Sequence, residues 1–196
     1  GRAGALAEIV ILENKTLHEF LFRDVVWTDK EEKKIRHGLY IKTMEFNSVQ
    51  NIMFKLARQW SFMKFAIFMG LPKFIAREDS KLYANCGALG VIVMSGNTKD
   101  DMVNTGRLMQ RIWLKVTMMK LSLQPITATL FFNQRILAEE CQDLNPDHIN
   151  LMKGAYNDIK RVFNIEQETV YMMFRIGHAK PTSARNSRIP VEEKLT

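Results

Sequence analysis

Apolar residues recur at three- and four-residue steps through most of this chain, and short alternating or continuously apolar runs interrupt them at only a few places. Between 48 and 69, Val49, Ile52, Met53, Leu56, Trp60, Met63 and Ile67 keep that step, which predicts one helix burying this stripe. Phe54, Phe62, Phe65 and Phe68 widen its apolar surface, and Gly70-Leu71-Pro72 stops it. Residues 88–95 (ALGVIVMS) form a short run rich in β-branched residues, closed by Gly96-Asn97, as expected of a strand buried on both faces. A long helix follows. Thr98 and Asp101 have capping-box spacing, and Met102, Met109, Ile112, Trp113, Val116 and Met119 form the stripe expected to be buried.

The ends of the chain carry weaker patterns. Residues 5–22 read as two short helices or one broken near Asn14-Lys15-Thr16. The charged run at 30–34 reads as a solvated helical turn capped by Thr28 or Asp29. Pro125 excludes helix at 124–127 and marks a bend or an edge strand. A helix is expected over 133–141, and a better-marked one after the N-cap Asn145 with Pro146 in its first turn. Residues 168–176 alternate, which sets Val170, Met172, Phe174 and Ile176 on one face and Tyr171, Met173 and Arg175 on the other. The order of elements predicts an α+β fold, a helix-rich α/β sandwich in which helices flank a central sheet. No repeat or Gly/Ser/Pro-rich linker divides it, so 1–196 is expected to be a single domain or half-domain.

Composition changes this picture little. The 196 residues suit a domain with a real core, and no apolar run approaches the roughly 20 residues of a membrane span. A basic start followed by an apolar block is also missing, so a cytoplasmic setting is the expectation. The chain opens on Gly1 and has no methionine before Met44, which reads as a piece of a longer product. The net charge of +7 would suit a phosphate-bearing ligand, an acidic membrane surface or nucleic acid. Its lysines and arginines are scattered, however, and no nucleic-acid motif accompanies them.

The familiar catalytic constellations are missing: the chain has no GxSxG elbow, P-loop, HExxH or complete dinucleotide fingerprint. His18, His37, His148 and His178 lack metal-ligand spacing, and Cys86 and Cys141 read as buried reduced thiols, so no metal site is expected. A chain without an evident acid, base or nucleophile can still do redox work through a bound cofactor.

Four stretches bear on that possibility. They are 106–114 (GRLMQRIWL), 121–125 (LSLQP), 174–179 (FRIGHA) and 183–193 (SARNSRIPVEE). In this order and spacing they resemble the C-terminal half of the flavin-dependent nitroreductase family, notably its longer, internally duplicated members. The resemblance implies a nitroreductase-like fold, with FMN as cofactor and NADH or NADPH as electron donor. It sets Gln124, Pro125, Ile126 and Thr127 beside the flavin ring and Arg188 at the phosphate, with Arg185 as the alternate. The stretch 23–46 resembles a lid over the flavin, and 177–196 is a basic C-terminal tail.

An oxidoreductase passing electrons to a nitroaromatic, quinone or related small-molecule acceptor is the implied activity, with catalytic side chains unassigned. Asn186 stands where the family often has a basic residue, and the family's N-terminal Arg-rich phosphate motif is missing. The other half of the site is therefore expected from a homodimer partner or from a missing N-terminal half. Two other readings stand beside it: a module that binds or sequesters flavin without turnover, and a structural fragment that needs a partner half. Neither nucleic acid nor membrane is expected as a partner.

Overall fold

A computed structural model of the chain describes residues 1–189. The tail residues Pro190, Val191, Glu192 and Glu193, on which part of the resemblance rests, lie outside the described residues. In chain order the elements are α1 (Arg2–Glu13), α2 (Lys15–Arg23), β1 (Val25–Val26), α3 (Asp29–Ile35), β2 (Leu39–Tyr40), a 3-10 turn (Ile41–Met44), α4 (Ser48–Ala57), α5 (Trp60–Phe68) and α6 (Leu71–Ala84). There follow β3 (Ala88–Met94), α7 (Lys99–Met118), β4 (Ser122–Pro125), α8 (Ala128–Leu137), α9 (Pro146–Val162) and β5 (Thr169–Gly177). The protein is a helix-rich α+β structure with a small sheet. Among the described residues, no helix is long and apolar enough to cross a membrane.

The chain forms two compact units: Gly1–Val10 with Gly70–Ala179, and Ile11–Met69 with the tail from Lys180. The first unit is built on a three-stranded antiparallel sheet in the order β3-β5-β4. Its last strand in sequence is therefore its central one. One face of the sheet packs on α7 through Ile92, Met109 and Phe174, joined by Ile112, Leu123, Met172 and Ile176. On the other face Ile126, Leu130, Ile159, Val170 and Met173 form a second core, with Ala3, Tyr83 and Tyr156 against it. Thr129 ties this layer to the start of the chain, its hydroxyl donating to the Ala3 carbonyl at 2.8 Å.

The helix ends form where local chemistry provides for them. Thr98 accepts from the Asp101 N–H while Asp101 accepts from the Thr98 N–H, a closed capping box that starts α7. Thr28 and Glu31 do the same for α3, and Asn145 caps α9 by accepting from the His148 N–H. The division of 5–22 into two helices and the edge position of Pro125 also match expectation.

Several expectations need correction. The predicted helix over 48–69 is two helices, α4 and α5, separated at Arg58-Gln59. The buried His18 Nε2 lies 2.7 Å from the Ala57 carbonyl and satisfies it where α4 ends. Nor does α4 bury its predicted stripe: Val49 is 70% and Ile52 60% exposed, and Phe54 and Ala57 face inward instead. On α7 the buried positions are Thr105, Met109 and Val116, while Met102, Trp113 and Met119 are exposed. β3 buries only Ile92 fully, so it is a half-buried strand. The helix expected over 133–141 runs earlier, as α8, and both cysteines are half-buried free thiols. Residues 73–84, given no element by the spacing, continue α6, for which Pro72 is a start signal in the first turn and not only a stop.

A bulge accounts for one further departure. The pairing of β3 with β5 steps from Ile92↔Met172 to Val93↔Val170, leaving Tyr171 as the extra residue. Val170 thereby changes sides and joins Met173 in the second core, and simple alternation from Phe174 fails at this point. Tyr171 is turned onto the β3–α7 connection, where its hydroxyl donates to Asn97 Oδ1 at 2.9 Å.

Within the sheet, Gly90 is paired with Phe174, whose ring covers it. A Cβ at Gly90 would lie 2.6 Å from Phe174 Cζ and 2.8 Å from Cε2, and the buried ring has little room to retreat. Gly90→Ala is expected to destabilise the protein by about 1–3 kcal/mol through overpacking. Thermal or urea denaturation of the variant, with Gly106→Ala as a control at a helical site where a Cβ meets nothing within 4 Å, measures this.

Candidate functional site

The stretch 124–127 forms the end of the edge strand β4 and its turn into α8. Ile126 donates its N–H to the Met173 carbonyl at 2.7 Å and so continues the ladder. Because antiparallel pairs alternate, Leu123 and Pro125 then direct their backbone groups toward the free edge. Pro125 can offer only its carbonyl there. Gln124 is not free: its Oε1 accepts from Arg175 Nε at 2.7 Å. Arg175 Nη1 donates in turn to the Leu82 carbonyl, and its guanidinium lies 5.4 Å from the centre of the Tyr83 ring.

This network adjoins a set of acids that the sequence pattern does not announce. Glu8 on α1 is pushed up to about 7, chiefly because burial disfavours its charged form and further because the Asp79 carboxylate repels it. Burial and then Glu78 raise Asp79 as well. Tyr83 is pushed up to about 12 by burial first, then by Glu8 and Asp79, against the opposing pull of Arg175. Glu8 can therefore exchange a proton near neutrality, as general acid–base chemistry requires.

Arg2, Leu6 and Ile9 of α1 and Lys73, Ala76, Arg77 and Ser80 of α6 line a groove of about 280 Å³ in the same unit. Both sets follow helical spacing, so each helix turns one flank to the groove. Its cations have no carboxylate partner among the described residues. No three His, Cys, Asp or Glu side chains converge as a metal site among those residues.

Arg185 and Arg188 belong to the second unit, separately from 124–127. Both are exposed, and neither has an acidic partner among the described residues. The tail that carries them is held against the segment 23–46. Asn186 accepts from the Tyr40 N–H at 3.3 Å and donates to the Gly38 carbonyl at 3.4 Å. Ser187 donates its N–H to the buried carboxylate of Glu32, and Ser183 donates its N–H to Glu45 Oε1 at 2.7 Å. The Ser183 N–H, with its hydroxyl next, holds the Glu45 carboxyl below its ordinary range.

The segment 23–46 is itself ordered. β1 and β2 pair in parallel, and Asp29 accepts from both the Tyr40 hydroxyl and Lys42 Nζ. Lys42 first and Tyr40 second keep Asp29 ionised below the usual carboxylate range. Asn186 thus has a positional role that only the folded chain reveals.

No family model, curated protein or solved structure matches this chain. Its chemistry is accordingly read from its own geometry. The outward backbone groups of β4 offer hydrogen-bond partners along a free edge, and Arg185 and Arg188, without an acidic partner among the described residues, offer planar donors to an anion. The sequence pattern missed Glu8, Asp79, Tyr83 and Arg175 because no local spacing reports burial. It could have found Lys73 and Arg77, four apart, once Pro72 was read as the first turn of a helix.

Glu8 generates a pH prediction. Its folded value of about 7 lies above its ordinary 4.5, so between these values the folded chain keeps a proton that the unfolded chain has lost. The contribution of Glu8 to stability should be fully present below pH 4.5, fall as pH rises, and be lost above 7 at a cost of about 3 kcal/mol. Asp79, raised by burial and then by Glu78, contributes in the same direction. Glu8→Gln, which cannot ionise, should remove most of this slope and be the more stable form above pH 7. Urea titrations across that range compare the two.

Proposed function

We propose that this chain is one half of an FMN-binding oxidoreductase of the nitroreductase type, with NADH or NADPH as donor and a nitroaromatic, quinone or related molecule as acceptor. One observation carries the reading. Three of the resembling stretches, far apart in sequence, become one packed assembly: 106–114 in α7, 122–125 of the second stretch in β4 and 174–177 of the third in β5. Met109 and Ile112 pack with Leu123, Phe174 and Ile176. Such an assembly is what a helix beneath a flavin and a strand beside its ring require.

In this reading the edge at Gln124, Pro125, Ile126 and Thr127 orients the ring through backbone groups. Arg175 fixes the Gln124 side chain there. Arg188, with Arg185 as alternate, holds the phosphate by charge-assisted hydrogen bonds. FMN supplies hydride acceptance and electron transfer when bound, while the protein binds, orients and restricts access. The large exposed apolar side chains Val103, Leu114 and Met118 on α7 support a second half, from a homodimer or a longer parent chain.

A second reading, flavin binding without turnover, draws on the tail. Its hydrogen bonds to 32–45 join the arginines to the segment proposed as a lid, so one ordered element would both hold the phosphate and restrict the donor.

Titration with FMN under anaerobic conditions is the direct test, carried out on this chain and on any longer parent. Saturable quenching of flavin fluorescence is expected, and failure of both forms to bind would sink the reading. Bleaching of bound flavin by NADH or NADPH identifies turnover, and its absence in a binding-competent protein identifies sequestration. Arg188→Ala should weaken FMN binding by about 1.5–3 kcal/mol. Unchanged affinity would remove Arg188 from the site.

A further inference from the structure

The groove between α1 and α6 plays no part in the flavin reading. Arg2, Lys73, Arg77 and Ser80 are among the residues that line it. Leu6, Ile9 and Ala76 make its apolar lining, with Ile9 and Ala76 buried. The polar members are thus all donors or cations except for the hydroxyl, which can both donate and accept. Glu8 and Asp79 do not line it, since each falls on another flank of its helix.

We propose that this groove binds a small organic phosphate, with its anionic head among Arg2, Lys73, Arg77 and Ser80 and its apolar body against Leu6, Ile9 and Ala76. Three like charges with no ion-paired carboxylate among the described residues repel one another, and a dianion relieves that repulsion. Two guanidinium forks offer the planar donors that phosphate oxygens accept. A carboxylate has one charge and two oxygens, leaving the third cation and the hydroxyl without a counterpart. The volume of about 280 Å³ restricts the ligand to a head with one ring or a short chain.

The proposal stands without the flavin reading, and its test keeps the two apart. Phenyl phosphate, inorganic phosphate, benzoate and phenol are titrated into the full chain, followed by amide chemical shifts in α1 and α6. Phenyl phosphate should bind saturably, more tightly than either inorganic phosphate or benzoate, and more weakly as salt is raised. Arg77→Met and Lys73→Met, changes at exposed positions, should each weaken it about tenfold or more. Arg188→Ala should leave it unchanged. Saturable binding unaffected by either groove substitution would overturn the proposal, as would benzoate equalling phenyl phosphate or no binding at all. Ser80→Ala supplies a further variant should either cation change disturb folding, and unaltered phenyl phosphate affinity in it would remove the hydroxyl from the site.

Discussion

The first unit depends on the insertion of its last strand between two earlier ones. β5 pairs with β3 along one edge and with β4 along the other, so neither earlier strand has a sheet partner until 169–177 arrive. Phe174 locks this arrangement from one face, its ring lying over Gly90 and packing with Ile92 and Met109. From the other face Val170 and Met173 meet Ile126, Leu130 and Ile159. Non-local pairing of this kind carries loop-closure entropy that only the completed core offsets. The bulge at Tyr171 lets one strand serve both cores, because it sends Val170 across the sheet while Phe174 stays against α7.

The second unit relies on other means. Its strands contribute two residues each, and an aromatic group takes the place of a wide sheet. Phe54 lies 4.8 Å from Phe22, 5.8 Å from Trp27 and 5.2 Å from Phe46 between ring centres, and His18 extends the group to Trp60. The tail joins this unit by hydrogen bonds from short side chains and backbone groups. Asn186 is suited to that task because one side chain can accept from one peptide and donate to another, as a strand neighbour would.

The chain's net positive charge is also distributed unevenly. Arg2, Lys73 and Arg77 gather at a groove, while Arg185 and Arg188 project from the tail. Glu8 and Asp79 are withdrawn from solvent on the same two helices that line the groove, and burial shifts them toward the neutral form.

What the sequence determined by itself was the part governed by short-range chemistry. Thr98 with Asp101, Thr28 with Glu31 and Asn145 before Pro146 mark helix starts because a cap needs only three or four neighbouring residues. Pro125 marked an edge because it lacks the N–H a central strand requires. The tertiary structure decided which apolar stripe faces inward on α4 and α7, where more apolar residues were present than the narrow contact could cover. It also decided the side on which Val170 lies, the partners of Gln124 and Asn186, and the gathering of Glu8 with Asp79 and Tyr83. Each of these depends on residues tens of positions apart meeting in space, and neither spacing nor composition carries that information.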